Sequence, residues 1–362
     1  MDKKNDDIFL VALSSFSFFG PARVMLLVRY FGSAKKAWEA SQDDLIEVGI
    51  REASAREFIA YRSRFDISSY LKRLANLKIN YTTYRDSDYP ENLREISDFP
   101  PVLYFIGSLK KVDKNAIAIV GSRKMSAYGR DVARTISAEL AVGGVTIVSG
   151  LALGIDAVAH KACCDAGGRS IAVLASGLDI ISPASNRHIA LELAKNGAIV
   201  SEYPLGYRPT KISFPSRNRI ISGLSKAVVV VEGLRKSGTL LTASSAAEQG
   251  RTVFAVPGPI TSPLTQAPHY LIQNGAKLVS KTEDILEELD ISLRINRDEL
   301  EKVLPSSEFE ELVLKSLTDG TLHIDEIARI TGLNPNKLSA TLTVMELKGI
   351  VRNIGGSVYK KV

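Results

Sequence analysis

Ala116-Ile117-Ala118-Ile119-Val120-Gly121-Ser122-Arg123-Lys124-Met125-Ser126-Ala127-Tyr128-Gly129 is the stretch that decides the fold. Its first five residues are apolar without polar alternation, the pattern of a strand buried on both faces. A glycine-led turn follows, and residues 127–142 then carry the periodicity of an amphipathic helix. A strand that feeds a helix through a tight turn is half of a βαβ unit. Apolar runs of the same kind recur at 145–148, 171–174, 198–200, 227–231 and 252–256, and most are separated by stretches long enough for a crossover helix, such as 186–195. The repetition predicts an α/β fold with a doubly wound, Rossmann-like parallel sheet. Residues 276–279 add a late edge strand, and 79–84 and 102–106 precede the repeat as a lead-in or an antiparallel extension.

Either side of this repeat the pattern changes. Upstream, Leu10, Leu13 and Phe16, then Val24, Leu27, Val28 and Phe31, recur near the helical period, with breaks at Gly20-Pro21 and Gly32-Ser33. Ser41 reads as a helix N-cap, with Asp43 and Asp44 in the first turn. Downstream, residues 309–317, 323–330 and 334–348 read as three helices, and two short strands flank Gly355-Gly356, a two-residue hairpin signal. The expected organisation is an all-α N-terminal domain over 1–75 of the SAM or helix-hairpin-helix kind and an extended Rossmann-like domain over 76–292. A linker over 293–307 and a C-terminal winged-helix-like domain over 308–362 complete it.

The 362 residues suit two or three domains, and a net charge of +6 permits acidic partners without proving any. Residues 1–7 are polar and partly acidic, unlike a secretory leader, and no apolar run is long enough to span a membrane. The two cysteines, Cys163 and Cys164, are adjacent and read as reduced residues of a cytoplasmic helix. No His/Cys/Asp cluster has metal-ligand spacing, so no metal or cofactor is expected.

Four segments just after predicted strands carry the chemistry, at the edge where doubly wound sheets bind ligands. Gly121-Ser122-Arg123 opens a helix, so its amides face an anion and Arg123 adds a phosphate contact; the bland reading is a tight turn with a solvated arginine. In Ser149-Gly150-Leu151-Ala152-Leu153-Gly154-Ile155-Asp156 the glycines permit close backbone approach, and Asp156 and His160 stand four apart on one helix face. They read as a structural brace or as an acid/base couple that lacks a third member. Residues 211–219, Lys211-Ile212-Ser213-Phe214-Pro215-Ser216-Arg217-Asn218-Arg219, lie in a stretch without acids between Glu202 and Glu232, while Arg208, Lys211, Arg217, Arg219 and Lys226 accumulate. Uncompensated cations in a loop with an aromatic ring are what a single strand needs, since cations track phosphates and a ring stacks a base. Against this stands a core Phe214 with surface arginines. Last, Ser237-Gly238-Thr239 offers amides and hydroxyls at a helix N-terminus, suited to phosphate in a nucleotide or a nucleic acid.

Taken together these segments resemble the DNA-processing protein A family (DprA, also called Smf). The likeness runs in order through Gly121-Ser122-Arg123, Ser126-x-Tyr128-Gly129, residues 149–160, Ser201-Glu202-Tyr203-Pro204, Phe214-Pro215-x-Arg217-Asn218-Arg219, Val231-Glu232, Ser237-Gly238-Thr239 and Val256-Pro257-Gly258. It departs at Gln266-Ala267-Pro268-His269, where the family usually shows a Gly-x-Asn, and this puts the shape of that loop in question. The resemblance implies a single-stranded-DNA-binding protein, not an enzyme, that protects incoming strands during natural transformation and recombination and loads the RecA recombinase onto them. It also implies a homodimer. Carried over by residue, Gly121, Ser122 and Arg123 cradle phosphate, Lys211 and Phe214 contact backbone and base, and Arg217, Asn218 and Arg219 shape the pocket. Ser237, Gly238 and Thr239 add DNA contacts, with Gly150, Gly154, Asp156 and His160 in support.

Two rivals remain. Rossmann-like nucleoside monophosphate phosphoribohydrolases share a Gly-Ser-Arg-type opening and a later glycine-rich loop, but here the paired glycines are missing and the nearest acid, Glu248, lies nearly three turns into its helix. Duplex binding through the tail is the other, and residues 334–348 carry few cations for a groove-entering helix.

Overall fold

A computed structural model describes residues 3–291, 308–317, 320–347 and 350–361; the expected linker, 293–307, lies outside them. The chain forms two compact units, one holding the helical front and a nine-stranded sheet, the other the C-terminal segment. The sheet comprises β1 (Asn80–Thr83), β2 (Val102–Gly107), β3 (Ile117–Val120), β4 (Ile147–Ser149), β5 (Ser170–Val173), β6 (Ala198–Ser201), β7 (Ala227–Val230), β8 (Thr252–Ala255) and β9 (Lys277–Leu278). Its order is β1-β2-β6-β5-β4-β3-β7-β8-β9. From β6 through β9 all neighbours are parallel. β2 runs antiparallel to β6, and β1 to β2, so the two early segments are an antiparallel extension of the sheet. The chain steps outward from β3 to β6, returns to lay β7 beside β3, and steps outward again to β9. This reversal, between β3 and β7, opens the crevice that positions the site.

Both faces are covered, which is why the strands read as unbroken apolar runs. Val120, Val148, Val173, Val200 and Val230 pack with Ile220, Ile221, Leu224, Ala243 and Ala246 of the Ser213–Gly223 and Gly238–Glu248 helices and their flanks. Ala172, Leu174 and Ile199 turn the other way, into a cluster that includes Ile189 and Leu193 of the Arg187–Asn196 helix. That same cluster continues without a break into the front, through Leu10, Leu13, Leu27, Phe58 and Tyr70.

The front's six helices end where the sequence breaks. Pro21 opens the Pro21–Phe31 helix, where its missing N–H costs nothing, and Gly32 closes it at φ 77°, a left-handed cap that glycine adopts freely. Ser41 accepts the Asp44 amide at 3.1 Å while Asp44 accepts the Ser41 amide at 2.9 Å, a reciprocal capping box.

The C-terminal unit has its own core of Val313, Leu317, Ile327, Leu338, Leu342, Met345 and Val351. Helices Glu308–Ser316, Ile324–Thr331 and Pro335–Leu347 accompany β10 (Leu322–His323), β11 (Val351–Asn353) and β12 (Val358–Lys361), ordered β10-β12-β11. This is a winged helix. Its wing turns over three residues rather than two, because Ser357 joins Gly355 and Gly356 at positive φ. Among the described residues no helix is long and apolar enough to cross a membrane.

Candidate functional site

The turns after β3, β4 and β7 meet the start of the Ser213–Gly223 helix around a cleft of about 690 Å³ at the reversal point. Gly121, Ser122, Arg123, Asp156, Lys211, Phe214, Arg217, Asn218, Ser237, Gly238 and Thr239 all line it. Segments far apart in sequence thus share one site.

At its mouth the Arg123 guanidinium lies over the Phe214 ring, 5.1 Å from the centroid. Arg123, Lys124 and Lys211 are exposed and Phe214 is half-buried, so the ring is neither core nor free. Ser122 Oγ accepts the Lys124 amide at 3.1 Å and donates to the Lys124 carbonyl at 2.9 Å, which sets the turn that presents Arg123. Ser126 caps the following helix by accepting the Gly129 amide at 3.0 Å. The buried Glu232 carboxylate accepts both the Ser126 amide, at 2.9 Å, and the Ser126 hydroxyl, at 2.5 Å. One carboxylate therefore ties the turn after β7 to the turn after β3 across the reversal point.

Residues 211–219, read as a loop from their prolines and polar character, are largely helical: the Ser213–Gly223 helix takes in Phe214 to Arg219. Pro215 sits in its first turn, where no backbone N–H is needed, so it starts the helix rather than breaking it. The helix also divides the arginines. Arg217 is 4% exposed and donates to the carbonyls of Gly150 and Val173, each at 2.5 Å, so it stitches β4 and β5 to the crossover helix beneath the cleft. Burial pulls its pKa down to about 10, against the opposing pull of Asp156. Arg219 does not line the cleft. Its guanidinium is held by Asp98 Oδ2 at 3.3 Å and by Glu202, so its charge is compensated and the cationic count inferred from sequence shrinks.

Asp156 and His160 are both buried, but they do not pair. Asp156 Oδ2 accepts the Gly150 amide at 3.1 Å and the Ala152 amide at 3.4 Å, while His160 Nδ1 meets the Ser170 hydroxyl at 2.7 Å. The turn's amides and the nearby Arg217 hold the carboxylate; the imidazole turns toward β5. The brace exists, as two separate links. Gly150 and Gly154 explain themselves here. A Cβ on Gly150 would stand 2.1 Å from the Arg217 guanidinium, and one on Gly154, at φ 80°, would stand 2.2 Å from the Ser122 carbonyl.

Burial lowers the His160 pKa to about 3, with the Arg217 charge adding to the effect. The unfolded imidazole takes a proton near pH 6.5 that the native one refuses, so stability falls as pH drops below that point, by up to about 1.4 kcal/mol per pH unit. His160→Gln is expected to flatten the slope of unfolding free energy against pH by close to one proton between about pH 6 and 4.5. Urea titrations at a series of pH values measure it. Burial raises Asp156 and Glu202, which act in the opposite sense in both proteins and drop out of the difference.

Ser237 caps the Gly238–Glu248 helix without a side-chain bond, and its buried Oγ has no partner. Asn218 Nδ2 donates to the Gly238 carbonyl at 3.3 Å and so fixes this turn. Residues 266–269, where the family pattern lapses, begin the Gln266–Gln273 helix, with Pro268 in its first turn. The preceding Leu264 accepts the Gly233 amide at 2.6 Å and lines the cleft. Sequence reading missed Leu264, Leu234, Leu241 and Thr242 as lining residues. Leu241 and Thr242 stand about one turn beyond Gly238, a spacing that was legible; Leu264 had no local signal.

Fold and cleft together define a Rossmann-like protein with its site at the topological reversal point and a winged helix in a separate unit. Two family models match, DNA recombination-mediator protein A over residues 80–290 and the DprA winged helix domain over 302–357. Protein Smf of Escherichia coli is 39% identical over 331 residues, 88% of each chain. DNA processing protein DprA of Bacillus subtilis is 46% identical over 212 residues, 58% of this chain and 71% of that one. Among solved structures, DprA of Streptococcus pneumoniae superposes with a TM-score of 0.68 at 34% identity, covering 78% of this chain and 97% of that one. DNA processing protein A of Helicobacter pylori, described for its single-stranded DNA binding mode, superposes at 0.54 with 29% identity, over 59% and 98%. The chain belongs to the DNA-processing protein A (DprA/Smf) family.

Proposed function

We propose that the cleft binds single-stranded DNA, and that the protein is a cytoplasmic, non-enzymatic homodimer that protects incoming strands during transformation and recombination and delivers them to RecA. The observation that carries the DNA-binding reading is the Arg123–Phe214 pair at the cleft mouth. It joins a cation for a phosphate to a ring face for a base, beside the exposed Lys124 and Lys211. Gly121 and Ser122 on one side, and Ser237, Gly238 and Thr239 on the other, line the cleft at turns that lead into helices, where backbone amides suit neighbouring phosphates. Arg217, Asn218, Gly150, Gly154 and Asp156 hold those turns in place, with His160 and Arg219 anchored further out.

Cleavage of a nucleotide fits less well. Among the described residues lining the cleft, Asp156 is the one carboxylate, and it is engaged by amides. Glu248 is exposed and lies outside the cleft. RecA delivery and dimerisation rest on family membership.

Fluorescence anisotropy with labelled oligothymidine is expected to show binding whose log affinity falls by about 0.7 per log unit of salt for each phosphate contacted, with weaker binding to a duplex of equal length. Duplex preference would move the activity to the winged helix. No binding to either at low salt, with ribose phosphate released from AMP, would replace the reading with the enzymatic one.

A further inference from the structure

Beyond the cleft, the carboxyl edge of the sheet carries a second aromatic feature. After β6 the chain crosses this edge on its way to the Ser213–Gly223 helix, and there Tyr203 and Tyr207 stack, with ring centroids 4.3 Å apart and planes 11° from parallel. Tyr203 is backed by protein: its hydroxyl lies 3.5 Å from the Ser213 carbonyl, and burial pushes its pKa well up. Tyr207 is half-exposed, and its carbonyl accepts the Gly177 amide at 2.9 Å, which pins it beside the turn after β5.

Cations stand beside it in the chain. Arg208 and Lys211 are exposed. Of the acids close by, Glu202 is paired with Arg219, while the exposed Asp179 accepts the Gly206 amide at 2.9 and 3.0 Å, which fixes the turn before Tyr207, and keeps its charge. A half-exposed ring held rigid by a stacked neighbour, with exposed cations next in the chain, supplies the two elements a single strand uses, a surface to stack on and charge for its phosphates.

Distance links the two. Tyr207 is fixed at β5 and the cleft opens at β3, two strand spacings away, or about 10 Å. The five residues 207–211 span at most about 14 Å when extended. A strand leaving the cleft past Lys211 thus meets Tyr207 within a few nucleotides.

We propose that Tyr207, backed by Tyr203 and flanked by Arg208, is a second base-stacking platform that extends the path of the single strand beyond the cleft. This rests on the cleft being a single-stranded-DNA site. It assigns a role to residues outside the motifs that line the cleft, and it makes affinity depend on strand length.

The test compares the full-length protein with its Tyr207→Ala and Tyr207→Trp variants. Each is titrated with oligothymidines of about 2 nucleotides, too short to fill the cleft and reach Tyr207 together, and of about 16, long enough to occupy both. Tyr207→Ala is expected to weaken binding of the long oligomer about tenfold and leave the short one unchanged, while Tyr207→Trp retains long-oligomer affinity. Arg208→Ala is expected to lower the salt dependence for the long oligomer only. Equal affinities of Tyr207→Ala and the unaltered protein for the long oligomer would overturn the platform, as would equal weakening at both lengths. Should the unaltered protein bind neither oligomer, the cleft reading falls, and the platform falls with it.

Discussion

Replacing Arg217 by methionine is expected to destabilise the protein by about 3–5 kcal/mol, the cost typical of removing one partner from a buried charged arrangement. The side chain is close in volume, so the loss comes from polarity rather than a cavity. Two buried carbonyls, Gly150 and Val173, lose their donor. The Asp156 carboxylate loses the cation that opposes the cost of its burial. Combining Arg217→Met with Asp156→Asn is expected to recover at least about 1 kcal/mol relative to additivity, because the second change removes the stranded charge. Chemical denaturation of both single variants and the double variant measures the coupling. Strict additivity would mean that Asp156 is held by its amides alone and that Arg217 acts only on the carbonyls.

Phe214→Ala is the counterpart in binding. Base–aromatic stacking contributes about 1–3 kcal/mol per base, so affinity for oligothymidine is expected to fall about 5- to 150-fold. Phe214→Tyr keeps the ring and is expected to keep most of the affinity; Phe214→Leu keeps apolar contact and is expected to lose it. Arg123→Ala removes both a phosphate contact and the cation over the ring, so its effect and that of Phe214→Ala are expected to be less than additive. Unchanged affinity in Phe214→Ala, with the salt dependence intact, would reduce the site to an electrostatic groove.

What was legible in the sequence follows from range. The strands announced themselves because a sheet covered on both faces leaves unbroken apolar runs, and the wing did so because paired glycines mark a reversal. The segments after β3, β4, β6 and β7 could be singled out because a strand-to-helix turn has local requirements for small residues and caps. What escaped was contact between distant segments. Glu232 reaches Ser126 across 106 residues, and Arg219 reaches the Asp98 carbonyl across 121. Arg219 therefore counted as a free cation, and Glu232 as one residue of a motif without a task. Asp156 and His160 stood at a spacing that permits a pair, yet each found a nearer partner once the turn closed. Pro215 misled for a narrower reason: proline signals a break inside a helix but is compatible with its first turn.

The core that runs from the front helices into the sheet has a consequence for the order in which the chain becomes stable during synthesis. Leu10, Leu27 and Phe58 leave the ribosome early, but the apolar cluster they belong to is completed by Val102, Leu174 and Ile199. Until β6 has been made, the first helices carry a face with nothing to cover it, and the chain behind them must stay clear of other apolar surfaces. The winged helix has no such wait: among the described residues its cluster draws on those from Val313 to Tyr359, and so it closes within a short stretch of chain.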